Sequence, residues 1–199
     1  NMTIDYKVIP CERNFIKQFI EKWHYSKSIN GLHGSYYFSL INKDDEIIGA
    51  MIYGKLGMAS VWTKYGKSEN DVIELNRLCC IDDTKKNTES YFIAKTIKWL
   101  KKNTSIKVIV SYADPEYGHS GVIYKATHFT QIGKTSKGKV IMFNGKKYHD
   151  KTIRTKYKGE LKPYAVKVKQ ALEDGIAFYK ETKPKHIYIY EIRDTKLRQ

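Results

Sequence analysis

The sequence predicts an α/β fold, with a mixed central sheet flanked by helices and a basic C-terminal extension. Three observations carry that expectation. Strand-like and helix-like hydrophobic periods alternate along the chain in the order β-α-β-β-β-α-β-α-β. Ile106–Ser111 is a continuous apolar, β-branched run, as expected of a central strand covered on both faces. The 199 residues are 41% hydrophobic and 29% charged, which suffices for one domain with a full core.

Taken in order, Thr3–Pro10 reads as a first strand ended by its proline. Phe15, Ile16, Phe19, Ile20 and Trp23 recur at helical spacing from Glu12 to Trp23, and a Gly- and Ser-containing loop follows over His24–Gly34. Ser35–Ile41 and Glu46–Tyr53 are strands joined by the polar turn Asn42–Asp45. Asp71–Ile81 is a further strand. A helix capped by Asn87 or Thr88 runs to about Asn103, with Ile93, Ala94, Ile97 and Leu100 as its buried stripe. After the central strand come a loop, Ala113–Gly118, and a short helix over Ser120–Thr127. Strands near Phe129–Lys134 and Lys139–Asn144, a basic segment, a helix over Pro163–Phe178 and a last strand, His186–Ile192, complete the chain. Residues 1–144 are expected to form the catalytic core. Residues 145–199 are expected to be a basic extension, a helix and a final strand packed on that core as part of one domain.

Thirty-six Lys and Arg against 21 Asp and Glu give a net charge of +15. Between Lys134 and Lys169 there are 12 basic residues and only Asp150 and Glu160 to oppose them. Such a surface attracts polyanions, because each neutralised phosphate releases counterions. Lys146, Lys147, Lys151, Arg154, Lys156 and Lys158 are the residues expected to grip a nucleic-acid backbone; solubility is the competing explanation of the charge. The three cysteines, Cys11, Cys79 and Cys80, are odd in number and two are adjacent. That argues against a disulfide framework and fits a reducing cytoplasm. No apolar run is long enough to span a bilayer and no signal-peptide pattern opens the chain, so no membrane is expected as partner. An oligomer such as a dimer is left open.

Four short stretches are candidates for chemistry. Trp23-His24-Tyr25-Ser26 lies at the exit of the first helix, and Glu74-Leu75-Asn76-Arg77-Leu78 lies in the strand before the long helix. Ser111–Gly121, containing Asp114-Pro115 and Gly118-His119, follows the central strand, and Ile123-Tyr124-Lys125-Ala126 lies on the next helix. Ligands of open α/β sheets bind beyond the carboxyl ends of strands, where Asp114 falls. An Asx-type turn is the purely structural alternative for that residue. His24 and Tyr25 fit a helix C-terminus and core rim as well as a catalytic pair. Arg77 in an apolar strand must pair or face a cleft. Strand alternation disfavours a pair with Glu74 and leaves Asp114, a phosphate or a base edge as partner.

Together, in this order and spacing over Trp23–Phe129, the four stretches resemble the Mom family of phage DNA modification proteins, whose scaffold is like that of GNAT acetyltransferases. The resemblance implies conversion of adenine in double-stranded DNA to its methylcarbamoyl derivative at the exocyclic amine, shielding phage DNA from restriction in the host cytoplasm. It implies His24, Tyr25, Arg77, Asp114 and Tyr124 as the catalytic set. It also implies an associated iron, for which His24, Asp114 and His119 are the candidate ligands. One departure concerns the cofactor. GNAT enzymes have a glycine-bearing loop whose amides hold the coenzyme A pyrophosphate at a helix N-terminus. This chain has Asp82-Asp83-Thr84-Lys85-Lys86-Asn87 there, with no glycine, so acetyl-CoA use is not expected and the group donor is unknown. Two alternatives stand beside this reading: a conventional acyl-CoA N-acyltransferase and a non-catalytic DNA-binding protein.

Overall fold

The computed structural model describes residues 4–29, 32, 34–57, 60–115 and 121–194. Its elements are β1 (Lys7–Cys11), α1 (Arg13–Trp23), β2 (Gly34–Ile41), β3 (Ile47–Gly54), β4 (Val72–Cys80), α2 (Thr88–Asn103), β5 (Val108–Ala113), α3 (Val122–Ala126), β6 (Thr130–Lys134), β7 (Gly138–Phe143), β8 (Lys146–His149), β9 (Lys156–Tyr157), β10 (Glu160–Leu161), α4 (Pro163–Glu173), β11 (Phe178–Thr182) and β12 (His186–Glu191). A seven-stranded sheet runs in the order β1-β2-β3-β4-β5-β12-β6. Its described pairings are antiparallel except β4 with β5, which the α2 crossover makes parallel.

The two long N-terminal helices cover opposite faces of this sheet. Alternation along β3 sorts the residues: Ala50 and Ile52 pack with Ile16 and Ile20 of α1, whereas Met51 and Tyr53 pack with Phe92, Ile93, Ile97 and Leu100 of α2. Phe92 and Leu100 are fully buried, and truncating either to alanine is worth about 2–5 kcal/mol. The Tyr53 hydroxyl lies 2.8 Å from Thr96 Oγ1, so these two buried hydroxyls satisfy each other.

Two expectations about elements change. Pro10 does not end β1 but lies inside it, opposite Phe38; β1 is an edge strand, where a missing N–H costs no ladder bond. The C-terminal helix stops at Glu173 rather than Phe178, because Gly175 takes φ +73° and turns the chain into β11.

Between β6 and β12, which are neighbours in the large sheet, the chain builds a second structure. Strands β11-β7-β8 form a separate antiparallel sheet. Helix α4 packs on one of its faces through Val168 and Ala171 against Ile141, with Phe143 and Tyr148 beside them. The insertion leaves and returns at one point: Thr135 N–H donates to Lys185 O, and Lys185 N–H donates to Thr135 Oγ1, both at 2.8 Å. That neck lies at the end of the sheet where β5 finishes, since His186 pairs with both Ala113 and Lys134.

Candidate functional site

The parallel ladder between β4 and β5 holds only from Val72–Val108 to Glu74–Val110, although β4 continues to Cys80 and β5 to Ala113. Beyond Glu74 the strands separate, and a cleft of about 460 Å³ opens between them. A bulge in β4 shapes one wall. Arg77 pairs with Ile52 and Leu75 with Tyr53, so Asn76 is the extra residue. The interruption undoes simple alternation. Glu74 and Arg77 make no ion pair among the described residues, yet each feels the other's charge.

His24, Tyr25, Arg77 and Tyr124 all line the cleft, brought there by the exit of α1, by β4 and by α3. Arg77 differs from expectation in its partners. Its Nε donates to Ser28 O at 3.2 Å and its Nη1 to Asn76 O at 2.8 Å, both neutral carbonyls rather than Asp114. Burial lowers its pKa, and the cation stands in the wall without a carboxylate bonded to it among the described residues. The same Ser28 carbonyl accepts from Ser26 Oγ at 3.1 Å, and Ser26 Oγ lies 2.7 Å from His24 Nδ1. Ser26 N also lies 3.1 Å from that nitrogen. One hydrogen-bonded run therefore links the first two motifs, and Ser26 and Ser28, which sequence reasoning gave no role, are its connectors. His24 is 5% exposed, its ring 4.2 Å from that of Tyr25.

Tyr124 is 7% exposed, stacked on Tyr188 at 5.0 Å and tilted against Phe129. Burial raises its pKa, with the Ser111 hydroxyl opposing the shift. Ser111 Oγ is itself buried without a hydrogen bond of good geometry. Gly121, with φ +77°, begins α3; a Cβ there would lie 2.0 Å from the Tyr188 hydroxyl.

Glu74 lies where the two strands begin to splay and, although beside the cleft, is not among its lining residues. Burial pushes its carboxyl above the usual range, opposed by a hydrogen bond from Asn76 Nδ2 at 2.8 Å and by the charges of Lys185 and Arg77. Because a carboxylate only accepts, that bond fixes which end of the Asn76 amide is nitrogen. The opposite end, Oδ1, is buried without a partner. Neither residue was assigned a role from sequence. The signal available was a carboxylate and an amide inside an otherwise apolar strand, but alternation without the bulge put Glu74 on the wrong face.

Asp114 follows Ala113, which lines the cleft, and is not itself among the lining residues. His119 lies outside the described residues. Among the described residues, no three His, Cys, Asp or Glu side chains are grouped to hold a metal ion, so the expected iron finds no support. Cys79 and Cys80 also line the cleft. Burial raises the Cys79 pKa to about 12 and that of Cys80 upward too, which removes thiolate nucleophiles at neutral pH. In the loop before α2, Lys85 Nζ is 2.7 Å from Asp5, so this cation already has a carboxylate.

Known proteins resemble this chain in sequence or in fold. The Mom protein family model matches residues 5–199. The chain belongs to the Mom family. Methylcarbamoylase mom of Escherichia phage Mu is 27% identical over 146 residues, 72% of this chain and 59% of the relative, so the match spans about three-fifths of that protein's length. The fold is GNAT-like. Arabidopsis thaliana NAA60, solved in complex with acetyl-CoA, superposes with TM-score 0.54 at 10% identity, covering 94% of this chain and 98% of its own. Ribosomal-protein-S5-alanine acetyltransferase of Vibrio fischeri gives 0.52 at 12% identity over 98% of each chain. The spermidine/spermine N-acetyltransferase SpeG of Vibrio cholerae gives 0.51 at 9% identity, over 94% of this chain and 92% of its own. With an acetyl-CoA complex among such neighbours, the expectation against acetyl-CoA is not borne out. Among the described residues, no helix of this Mom-family chain is long and apolar enough to cross a membrane.

Proposed function

We propose that this Mom-family chain is a transferase that modifies the exocyclic amine of adenine in duplex DNA, placing a methylcarbamoyl-type group there and so protecting phage DNA from restriction. The observation that carries the reading is the convergence of His24, Tyr25, Arg77 and Tyr124 on one cleft, in a chain related to a methylcarbamoylase of phage Mu. A base must leave the stack to enter such a cleft, at a cost of a few kcal/mol. A volume of about 460 Å³ with Leu75, Tyr112 and Ile123 in its walls suits a flipped purine. The amine loses a proton as its new bond to carbon forms. Glu74 beside the cleft, His24 in the wall and Asp114 beside Ala113 are the groups that take it, and burial makes Glu74 a stronger base than an exposed carboxylate. Tyr124, whose raised pKa keeps its proton at neutral pH, donates to the leaving group. Arg77 steadies developing negative charge. The duplex backbone is held by Lys146, Lys147, Lys151, Arg154, Lys156 and Lys158.

A second reading, a conventional acyl-CoA N-acyltransferase, is favoured by the acetyltransferase neighbours. Mass spectrometry of nucleosides from DNA of cells expressing the protein separates the two. A methylcarbamoyl-type mass on adenine is the expected outcome. An acetylated small amine or protein with unmodified adenine would replace the first reading by the second.

A further inference from the structure

The insertion between Thr135 and Lys185 carries 14 Lys and Arg against five Asp and Glu, so about a quarter of the chain supplies nine of its fifteen net positive charges. It is also where greasy side chains stand in water. Tyr157, Tyr164, Val166, Ile176, Phe178 and Tyr179 are six of the twelve exposed large hydrophobic residues among those described. Charge alone does not require that enrichment, since phosphate contacts are made by cations and polar groups.

Register places the apolar surface. Ile141 faces α4, so its cross-strand partners Tyr148 and Tyr179 share that face. By alternation, Val140, Met142, Lys147, Phe178 and Lys180 lie on the opposite face, with Phe178 beside Met142 and Lys180 beside Val140. Phe178 is 60% exposed, and both lysines are exposed. This open face is thus an apolar strip flanked by cations. It hangs from a neck at the cleft end of the large sheet, where Lys185 is close enough to influence Glu74.

We infer that the open face of the β11-β7-β8 sheet is a second DNA contact, in which Phe178 presses between base pairs while Lys147 and Lys180 take flanking phosphates. The inference rests on the proposed duplex-DNA substrate and adds an unstacking element to it. Phenylalanine and methionine wedges of this kind partly unstack base steps, which lowers the cost of extruding a nearby base. The charge on the insertion selects a polyanion over a second copy of the same basic chain.

The test uses the full chain and closed circular plasmid, so no recognition sequence is needed. Plasmid relaxed by topoisomerase in the presence of the wild-type protein is expected to lose linking number. Phe178→Ala is expected to abolish most of that change and to weaken binding about tenfold, with the slope of log affinity against log salt unchanged. Lys180→Ala is expected to reduce that slope by about one. Far-UV circular dichroism checks that each variant folds, and Phe178→Trp restores the linking-number change. If wild type fails to bind plasmid, the duplex-DNA reading itself falls. If wild type binds but Phe178→Ala leaves affinity and linking number as they were, the wedge is overturned while that reading stands. Conversion of a dimer to a monomer by Phe178→Ala, without effect on DNA, would give the face to a second copy instead.

Discussion

At the scale of single residues, the cleft assigns protons. Tyr124→Phe removes only a hydroxyl from a ring already seated between Tyr188 and Phe129. Modification should therefore fall by about 10²–10⁴, the usual worth of a general acid, with DNA affinity unchanged in a filter-binding measurement. Asp114→Ala tests the neighbouring assignment in the same assay; if both variants still modify DNA, the roles given to them fail. Glu74 makes a prediction of opposite kind. Burial raises its pKa in the folded state, so its charged form costs stability once pH exceeds the folded value, and nothing is lost below the unfolded value. Glu74→Gln should therefore raise the thermal midpoint by a few degrees at pH 8, with the gain vanishing below about pH 4, while abolishing modification. An equal gain at both pH values would show that the carboxyl titrates as an exposed one. Four of the five expected catalytic residues line one cleft; Arg77 was legible as a polar side chain inside an apolar strand, whereas His24, Tyr25 and Tyr124 were reached through the resemblance of the motifs. Glu74 and Asn76 were not legible, since a bulge has no signature in a strand's hydrophobic period.

At the scale of elements, α3 is short and Tyr124 sits in it just after its N-cap, Gly121. Gly121 has a backbone that an L side chain adopts at a cost, and a methyl group there would strike Tyr188. Gly121→Ala is expected to lose about 1–3 kcal/mol of stability by denaturant titration and to reduce modification, because the ring it displaces is the one Tyr124 stacks on. A variant as stable and active as wild type would mean that α3 can re-seat freely. The strands of the large sheet and α1 and α2 were legible because each carries a clear period. The boundary of α4 was not: Asp174-Gly175 is a good stop, but Ile176-Ala177-Phe178 continues an apolar pattern that a helix would also accept. Pro10 misled for a related reason. A proline forbids a ladder bond only when the strand has a neighbour on that side, which is a property of the sheet and not of the segment.

At the scale of the molecule, charge and topology coincide. The basic stretch is an insertion between β6 and β12 with a sheet and helix of its own, not an extension over residues 145–199, and the order of strands around it was not legible, because β6 and β12 are separated by some fifty residues and pair through contacts that no local pattern reports. If Lys151 and Arg154 meet phosphates, replacing both by alanine should lower the salt slope of duplex affinity by about two and leave the thermal midpoint nearly unchanged; an unaltered slope would move the grip elsewhere. The neck bears on how such a protein can diversify. Because β6 ends and β12 begins hydrogen-bonded across Thr135 and Lys185, the segment between them closes a loop whose ends are already joined, and its length costs the large sheet little. Descent can then lengthen, exchange or retune what hangs there without renegotiating the pairing that shapes the cleft. On the proposed function, DNA preference and chemistry are then free to evolve separately within a single chain.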